Sequence, residues 1–325
     1  MNVLSLFDGM SCGHIALREL GIEPDNYYAS EIDKCAIKVT QHNFPDTIQL
    51  GDVRNIDVSK LPQIDLLIGG SPCQSFSIAG RRNGMTTIEH EHVTTLDRYL
   101  PLKQEGFEFE GQSYLFWEYI RILRDVRKNN PNVKFLLENV EMAANWERVL
   151  NHAVGMVGVH INSSLVSAQN RKRIYWSNIK TRQYDLFGAQ ITDIPLPEDR
   201  GIVLKDVLED DVDEKYFLSD SMIGWLYKHA EKLGDKVPII NPNGKSKCLS
   251  SASFKMNLTS NFIASSSNRI RRLTPTECAR LQTIPDWYSW EHISDTQQYK
   301  LLANGWTVEV IKHILSFLKL PSNEQ

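Results

Sequence analysis

LSLFDGMSCG, residues 4–13, carries the reading of the fold. The apolar run Val3 to Phe7 reads as a strand, and Gly13 to Leu20 as an amphipathic helix. Between them Gly9 permits a tight turn, and Gly13 lets a ligand or a strand approach the helix start. The glycines are spaced G-x-x-x-G rather than in the dinucleotide pattern G-x-G-x-x-G, so the neighbouring segments decide what the turn means. Tyr27 to Ser30 reads as a second strand and Lys34 to His42 as a second helix. Asp65 to Ile68 and Phe135 to Leu137 read as further buried strands. Strands alternating with helices predict a doubly wound, Rossmann-like α/β sheet covered on both faces.

The chain has 325 residues, enough for one large core with a modest appended module. No apolar run is long enough to span a bilayer, and MNVLSLFDG has no basic leader, so neither membrane nor signal peptide is expected. Five cysteines (12, 35, 73, 248 and 278) are scattered without metal-ligand spacing. They are expected as reduced thiols in a cytoplasmic setting. The formal net charge of −4 argues mildly against nucleic acid, but its distribution is uneven. Lys245, Lys247, Lys255, Arg269, Arg271 and Arg272 fall in one basic stretch, and Arg171, Lys172 and Arg173 in another. Local charge decides where a polyanion docks, so DNA stays open.

Further along, Ser75 to Gln112 reads as a long polar loop, a length that marks a functional segment. A helix is expected from Tyr114 to Arg127. After Ile179 the pattern becomes irregular, with Pro195, Pro197, Pro238, Pro242 and a Ser/Asn-rich run from Ser246 to Asn268. Order resumes at Thr274, an N-cap before Pro275, with Glu277 at the capping-box position. A last helix spans about Val308 to Leu318. The expected organisation is 1–180 as the first part of the main domain, 181–271 as an inserted module, and 272–325 as helices returning to that domain.

Four motifs carry chemistry. In the first, the FDG turn precedes Glu31, which ends the second strand about 20 residues on, where a carboxylate bridges ribose hydroxyls. Asp52 ends a third strand, where it can accept from an adenine amino group. Any one of these features is equally a loop start or helix cap; together they suit a nucleoside. The second, GGSPCQSFSIAG (69–80), puts Cys73 after a proline in a loop rather than a core. A thiol suits cytosine, because attack at C6 turns the unreactive C5 into an enamine-like carbon. The third, LLENV (136–140), puts Glu138 at the end of a buried strand, at the same rim. A carboxylic acid there can supply the proton or hydrogen bond that N3 needs as sulfur attacks. The fourth, QNRKRIYW (169–176), alternates so that Arg171 and Arg173 share one face of a strand, with Ile174 and Trp176 on the other. Arginine there can hold a base carbonyl or a phosphate.

In order, FDGxxxG, SPCQ, ENV, QNRKR, RRLTPTECARLQ and a late NGW resemble the cytosine-C5 DNA methyltransferase family. The likeness covers all but roughly residues 181–268 and is similar to the branch of animal de novo methyltransferases and related phage and bacterial enzymes. It implies transfer of a methyl group from S-adenosyl-L-methionine to C5 of cytosine in double-stranded DNA at a short sequence. S-adenosyl-L-homocysteine is the product, no metal is used, and the target base is flipped out. It implies that Cys73 is the nucleophile, that Glu138 contacts N3 and the amino group, and that Arg173, beside Arg171, holds O2. Phe7 would lie against adenine, with Asp8, Gly9, Met10, Cys12 and Gly13 forming the turn under methionine. Glu31, followed by Ile32, would take the ribose, Asp52 and Val53 the adenine, and Asn304 and Trp306 would complete the pocket. Residues 181–271 would read the DNA sequence, their basic part facing DNA; no recognition residue carries over.

The loop after Cys73 departs from the short form, with His90 to Gly106 inserted. His90-Glu91-His92 lacks helical H-E-x-x-H geometry and reads as solvated or DNA-facing, not as a metal site. Three other readings stay open: a tRNA substrate, disfavoured by Ser71 where that branch carries a second proline; a degenerate binder without activity; and another alkyl donor. A bacterial or phage origin is implied. A cognate restriction endonuclease and the oligomeric state are left open.

Overall fold

Buried strands and amphipathic helices alternate through the first half of the chain, in a computed structural model that describes residues 1–72, 76, 85–184, 188–251, 258, 260–265 and 269–319. Strand β1 (Asn2–Leu6) leads into α1 (Cys12–Glu19), then β2 (Asn26–Ser30), α2 (Lys34–Asn43) and the short β3 (Ile48–Gln49). Strand β4 (Leu66–Gly70) is followed by α3 (Leu96–Gln104), α4 (Phe116–Asn129), β5 (Lys134–Val140), α5 (Ala144–Val154) and β6 (Met156–Val157). Then come β7 (Val159–Asn162), β8 (Lys172–Ser177), β9 (Thr181–Gln183), β10 (Gln190–Thr192), α6 (Asp220–Leu233), β11 (Phe262–Ala264) and β12 (Ile270–Arg272). Helices α7 (Pro275–Leu281), α8 (Asp295–Asn304) and α9 (Val308–Leu315) close the chain.

Seven strands form one sheet in the order β3-β2-β1-β4-β5-β8-β7. β1 to β5 are parallel, while β8 runs antiparallel to both β5 and β7. The order reverses between β1 and β4, which defines the crevice of a doubly wound sheet. Period-two alternation splits each strand between two cores. Val3, Ile68, Leu136 and Tyr175 face one core, with Ile15, Val39, Leu302 and Ile311. Leu4, Leu67, Leu137, Ile174 and Trp176 face the other, with Tyr99, Ile122 and Leu150. Truncating a fully buried leucine such as Leu67 to alanine costs about 2–5 kcal/mol. Helix α9 packs along α1, so the end of the chain closes on its beginning.

The Thr274 capping box forms as read: the Thr274 amide donates to Glu277 Oε2 at 2.8 Å, and the Glu277 amide donates back to Thr274 Oγ1 at 3.1 Å. The stretch read as a polar loop differs. Within it Met85, Val93, Tyr99 and Leu102 are buried in the core around α4, and the inserted segment itself forms α3. Pro101 inside that helix, and charged residues between the apolar ones, hide its periodicity. Within 181–271, Leu218, Leu226 and Phe262 make a small separate core.

Candidate active site

The carboxyl ends of the central strands open into one cavity of about 380 Å³ beside the strand reversal. Its size falls within the roughly 300–1,000 Å³ range of small-molecule sites. Phe7, Asp8, Gly9, Cys12, Glu31, Ile32, Asp52, Val53, Asn304 and Trp306 line it, together with Glu138, Arg171 and Arg173. Met10 and Gly13 do not. Met10 is buried in the core behind the turn. A Cβ on Gly13 would lie 2.2 Å from Ile68 Cδ1, so it is the strand, of the two candidates, that needs this glycine.

At one end of the cavity the turn after β1 is built from left-handed residues: Phe7, Gly9 and Ser11 have φ of 55°, 59° and 61°. Two of them are not glycine, and such strain collects at functional sites. The backbone N–H groups of Gly9, Ile32 and Asp33 donate to the Glu31 carboxylate at 2.8, 2.7 and 2.8 Å. That carboxylate is therefore fixed at the rim before any ligand arrives. Burial pushes the Asp8 carboxyl up to about 6, against hydrogen bonds from Ser11 and Tyr27 that favour the charged form. Asp52 caps the turn at Val53–Asn55 and pairs with the Arg54 guanidinium, which holds its pKa below the usual aspartate value. The capping role read for it is thus present alongside its place in the cavity wall.

At the other end Glu138, only 8 % exposed, is held from two sides. Arg173 Nε lies 2.8 Å from Oε1, and Trp306 Nε1 donates to Oε2 at 3.0 Å. A Cβ at Gly70 on the adjacent strand would come within 2.8 Å of both Glu138 Oε2 and Trp306 Nε1, so only glycine leaves this contact intact. The neighbouring Asn139 points the other way, and its Nδ2 donates to Ser71 Oγ at 2.9 Å, which pins the start of the SPC turn. Pro72 lines the cavity. Cys73, next in the chain, lies outside the described residues. Arg171 is buried and donates to the carbonyls of Ala303 and Gly305 at 3.1 and 2.8 Å. Burial lowers its pKa from the usual arginine value. It tethers the segment carrying Asn304 and Trp306 to β8, acting through Trp306.

The profile of the C-5 cytosine-specific DNA methylase family matches residues 1–99 and 102–319. The chain belongs to that family. It is 28% identical over 341 residues to the type II methyltransferase M.Bsp6I of Bacillus sp., covering 97% of each chain. It is 32% identical over 278 residues to the orphan methyltransferase M.Rho11sI of Bacillus phage rho11s, a match over 73% of this chain that spans about half (49%) of that relative. Among solved structures, DNMT2 of Spodoptera frugiperda superposes with a TM-score of 0.67 at 21% identity, covering 97% of this chain and 98% of that one. A putative DNA modification methyltransferase from an E. coli prophage gives 0.63 at 19% identity, covering 98% of each. These two establish the shared fold.

Several positioning residues of this methylase were not read from sequence. Glu118, fully buried on α4, accepts from Tyr99 at 2.5 Å and pairs with Lys103 at 2.6 Å and Arg121 at 2.7 Å. Arg121 also donates to the carbonyls of Ile56 and Val53, and Lys103 to that of Arg54. The inserted α3 thereby braces the turn that carries Asp52, Val53 and Arg54 into the cavity. Tyr99 and Lys103 sit four apart on the helix, spacing that would have shown had α3 been recognised. Cys248 was also missed: Arg171 Nη1 lies 3.3 Å and Arg173 Nη2 4.0 Å from its Sγ. Burial raises this thiol, but the two guanidiniums more than offset it, so its pKa lies below the ordinary value. It arrives there because Ser246 pairs with Gln169 in a parallel bridge, docking part of the 181–271 region beside β8.

Two residues of the basic stretch read as facing DNA, Arg271 and Lys245, are taken up by the fold instead. Arg271 is buried and forms a two-bond pair with Glu277 at 2.8 and 2.6 Å. Lys245 Nζ donates to the carbonyls of Ser164, Ser167 and Ile202, and Arg269 pairs with Glu214. Buried charge needs partners, and Arg271 and Lys245 spend theirs inside the fold, whereas Arg269 and Glu214 pair at the surface. Lys247 is exposed, and Lys255 lies outside the described residues. His90 lies beside Glu110 and His92 beside Thr86, so both have protein partners. Among the described residues no helix is long and apolar enough to cross a membrane.

Proposed function

We propose that this chain methylates carbon 5 of cytosine in double-stranded DNA at a short sequence, using S-adenosyl-L-methionine and a covalent link from Cys73 to C6. The observation that carries the reading is the Glu138 carboxylate held between Arg173 and Trp306 at the inner end of the cavity, opposite the fixed Glu31 carboxylate.

The residues present fit the cofactor. Glu31, fixed by three N–H groups, keeps acceptor capacity on Oε2 for a ribose hydroxyl, with Phe7 and Val53 as apolar walls for a purine. Bound S-adenosyl-L-methionine supplies an electrophilic methyl group on a sulfonium. The Cys73 thiolate adds to C6 of the flipped base, and the displaced electron pair moves toward N3 and O2. Glu138 meets that charge with a proton or hydrogen bond at N3, and Arg173 turns from Glu138 to O2. The activated C5 would then take that methyl group, whose bond to sulfur breaks with its electron pair staying on sulfur as S-adenosyl-L-homocysteine. Loss of the C5 proton to a solvent base expels the Cys73 sulfur and restores the aromatic ring. Residues 181–271 supply sequence recognition, with Ser246–Leu249 linking that region to β8 beside Arg171 and Arg173. A bacterial or phage setting is in keeping with the relatives, and a partner endonuclease with the type II enzymes among them.

Bisulfite sequencing of a plasmid recovered from cells expressing the chain, beside Cys73→Ala, tests the reading. Conversion-resistant cytosines in one short motif, absent in the variant, are expected. Complete conversion with folded protein would contradict a DNA substrate.

A further inference from the structure

Away from the cavity, the end of α2 meets the turn that precedes α8. We propose that His42, Glu291 and His292 form a binding site for one divalent transition-metal ion of the zinc type, which staples these two segments together. One ligand atom from each residue lies within 4.8 Å of the others.

The distances are close to those a metal imposes. Zinc takes imidazole nitrogen and carboxylate oxygen at about 2.0–2.2 Å, so neighbouring ligand atoms of a tetrahedral site are about 3.4 Å apart. His42 Nε2 and Glu291 Oε2 are already 3.5 Å apart, and His292 Nε2 and Glu291 Oε2 3.9 Å. The side chains are 35 %, 66 % and 58 % exposed, so small rotations close the remainder without disturbing a core. The two rings meet edge to face at 5.8 Å, which leaves room between their nitrogens. Water completes the fourth position, as in sites with three protein ligands. Imidazole and carboxylate together favour zinc-like ions over magnesium or calcium.

The frame is rigid. Asn43 Nδ2 donates to the Ser289 carbonyl and Asn43 Oδ1 accepts from the Ser289 amide, both at 2.8 Å. Trp287 packs edge-on to Phe44, donates to Glu19, and lies under Arg18. These contacts fix Glu291 and His292 two and three residues beyond an anchored point. His42 lies in the last turn of α2, where the helix dipole favours positive charge. His292 has a φ of 72°, a left-handed conformation unusual for a residue with a Cβ. The staple joins residues distant in sequence, and no part of the methyl-transfer chemistry depends on it.

Zinc titration of the chelator-treated full chain by calorimetry tests the site, with His42→Ala, His292→Ala and the double variant. The double variant keeps all five cysteines, so binding by thiols survives in it and can be subtracted. We expect one micromolar equivalent in the unaltered chain, weakened about tenfold or more in each single variant and missing from the double. Zinc at about 100 times its Kd should raise the Tm by about 4 °C in the unaltered chain only. Equal isotherms for the unaltered chain and the double variant, or no saturation by about 1 mM zinc, would overturn the proposal.

Discussion

Trp306 and Glu138, 168 residues apart in sequence, meet through a 3.0 Å hydrogen bond from the indole nitrogen to a carboxylate oxygen. The bond joins the wall of the cofactor cavity to the group assigned to cytosine N3. Gly70 is needed to leave it room, and Arg171 holds the backbone on either side of Asn304 in place. Trp306→Phe keeps an aromatic ring in the cavity wall but removes the donor, together with the smaller ring of the indole that carries it. A hydrogen bond to a charged group contributes about 1.5–3 kcal/mol, so kcat should fall about 10–100-fold. Steady-state kinetics should show little change in the cofactor KM; an unaltered kcat would mean that the bond plays no part in the chemistry.

Glu31→Ala removes the carboxylate that three backbone amides hold at the rim. Calorimetry should show cofactor binding weakened by about 10–100-fold, since the amides and the ribose both lose their charged acceptor. DNA affinity should be nearly unchanged. Equal losses for both ligands would contradict the ribose assignment.

Asp8 titrates at about 6 in the fold, against about 3.8 for the free side chain, chiefly because it is buried. Between these values the native state binds more protons than the unfolded chain, so stability falls as pH rises from about 4 to 6. The loss at neutral pH amounts to at most about 3 kcal/mol. Asp8→Asn should flatten that part of the stability curve in denaturant melts. A curve with unchanged slope would show that the carboxyl is not held in the protonated form.

Glu118→Gln should be costly, because Lys103 and Arg121 lose their shared counter-charge in a buried setting. Breaking such a pair costs about 3–5 kcal/mol. In the fraction that stays folded, the cofactor KM should rise more than the DNA KM, since Arg121 and Lys103 hold the turn at Val53 to Ile56. Equal rises in both would mark Glu118 as structural only.

The strand–turn–helix at residues 2–19, the place of Glu31 just past β2 and the cap at Thr274 were legible because each is set by residues near in sequence. Roles set by distant partners were not. Arg171 reads as a base or phosphate contact, yet its guanidinium is taken up by Ala303 and Gly305. Arg271 and Lys245 count as surface charge until Glu277 and the carbonyls of Ser164 and Ser167 are placed beside them. Cys248 sits in an irregular stretch without periodicity, and only the Ser246–Gln169 bridge brings it to the arginines. Helix α3 was hidden by Pro101.

The central claim is a covalent bond between Cys73 and C6 of the target cytosine. Duplex DNA carrying 5-fluorocytosine in the motif found by bisulfite sequencing tests it, because fluorine at C5 cannot leave as a proton and the link is trapped. Incubated with S-adenosyl-L-methionine, the unaltered chain should give a denaturation-resistant complex whose modified peptide contains Cys73, and Cys73→Ala should give none. A complex mapped to another cysteine, or none from protein that methylates the unmodified duplex, would contradict the account.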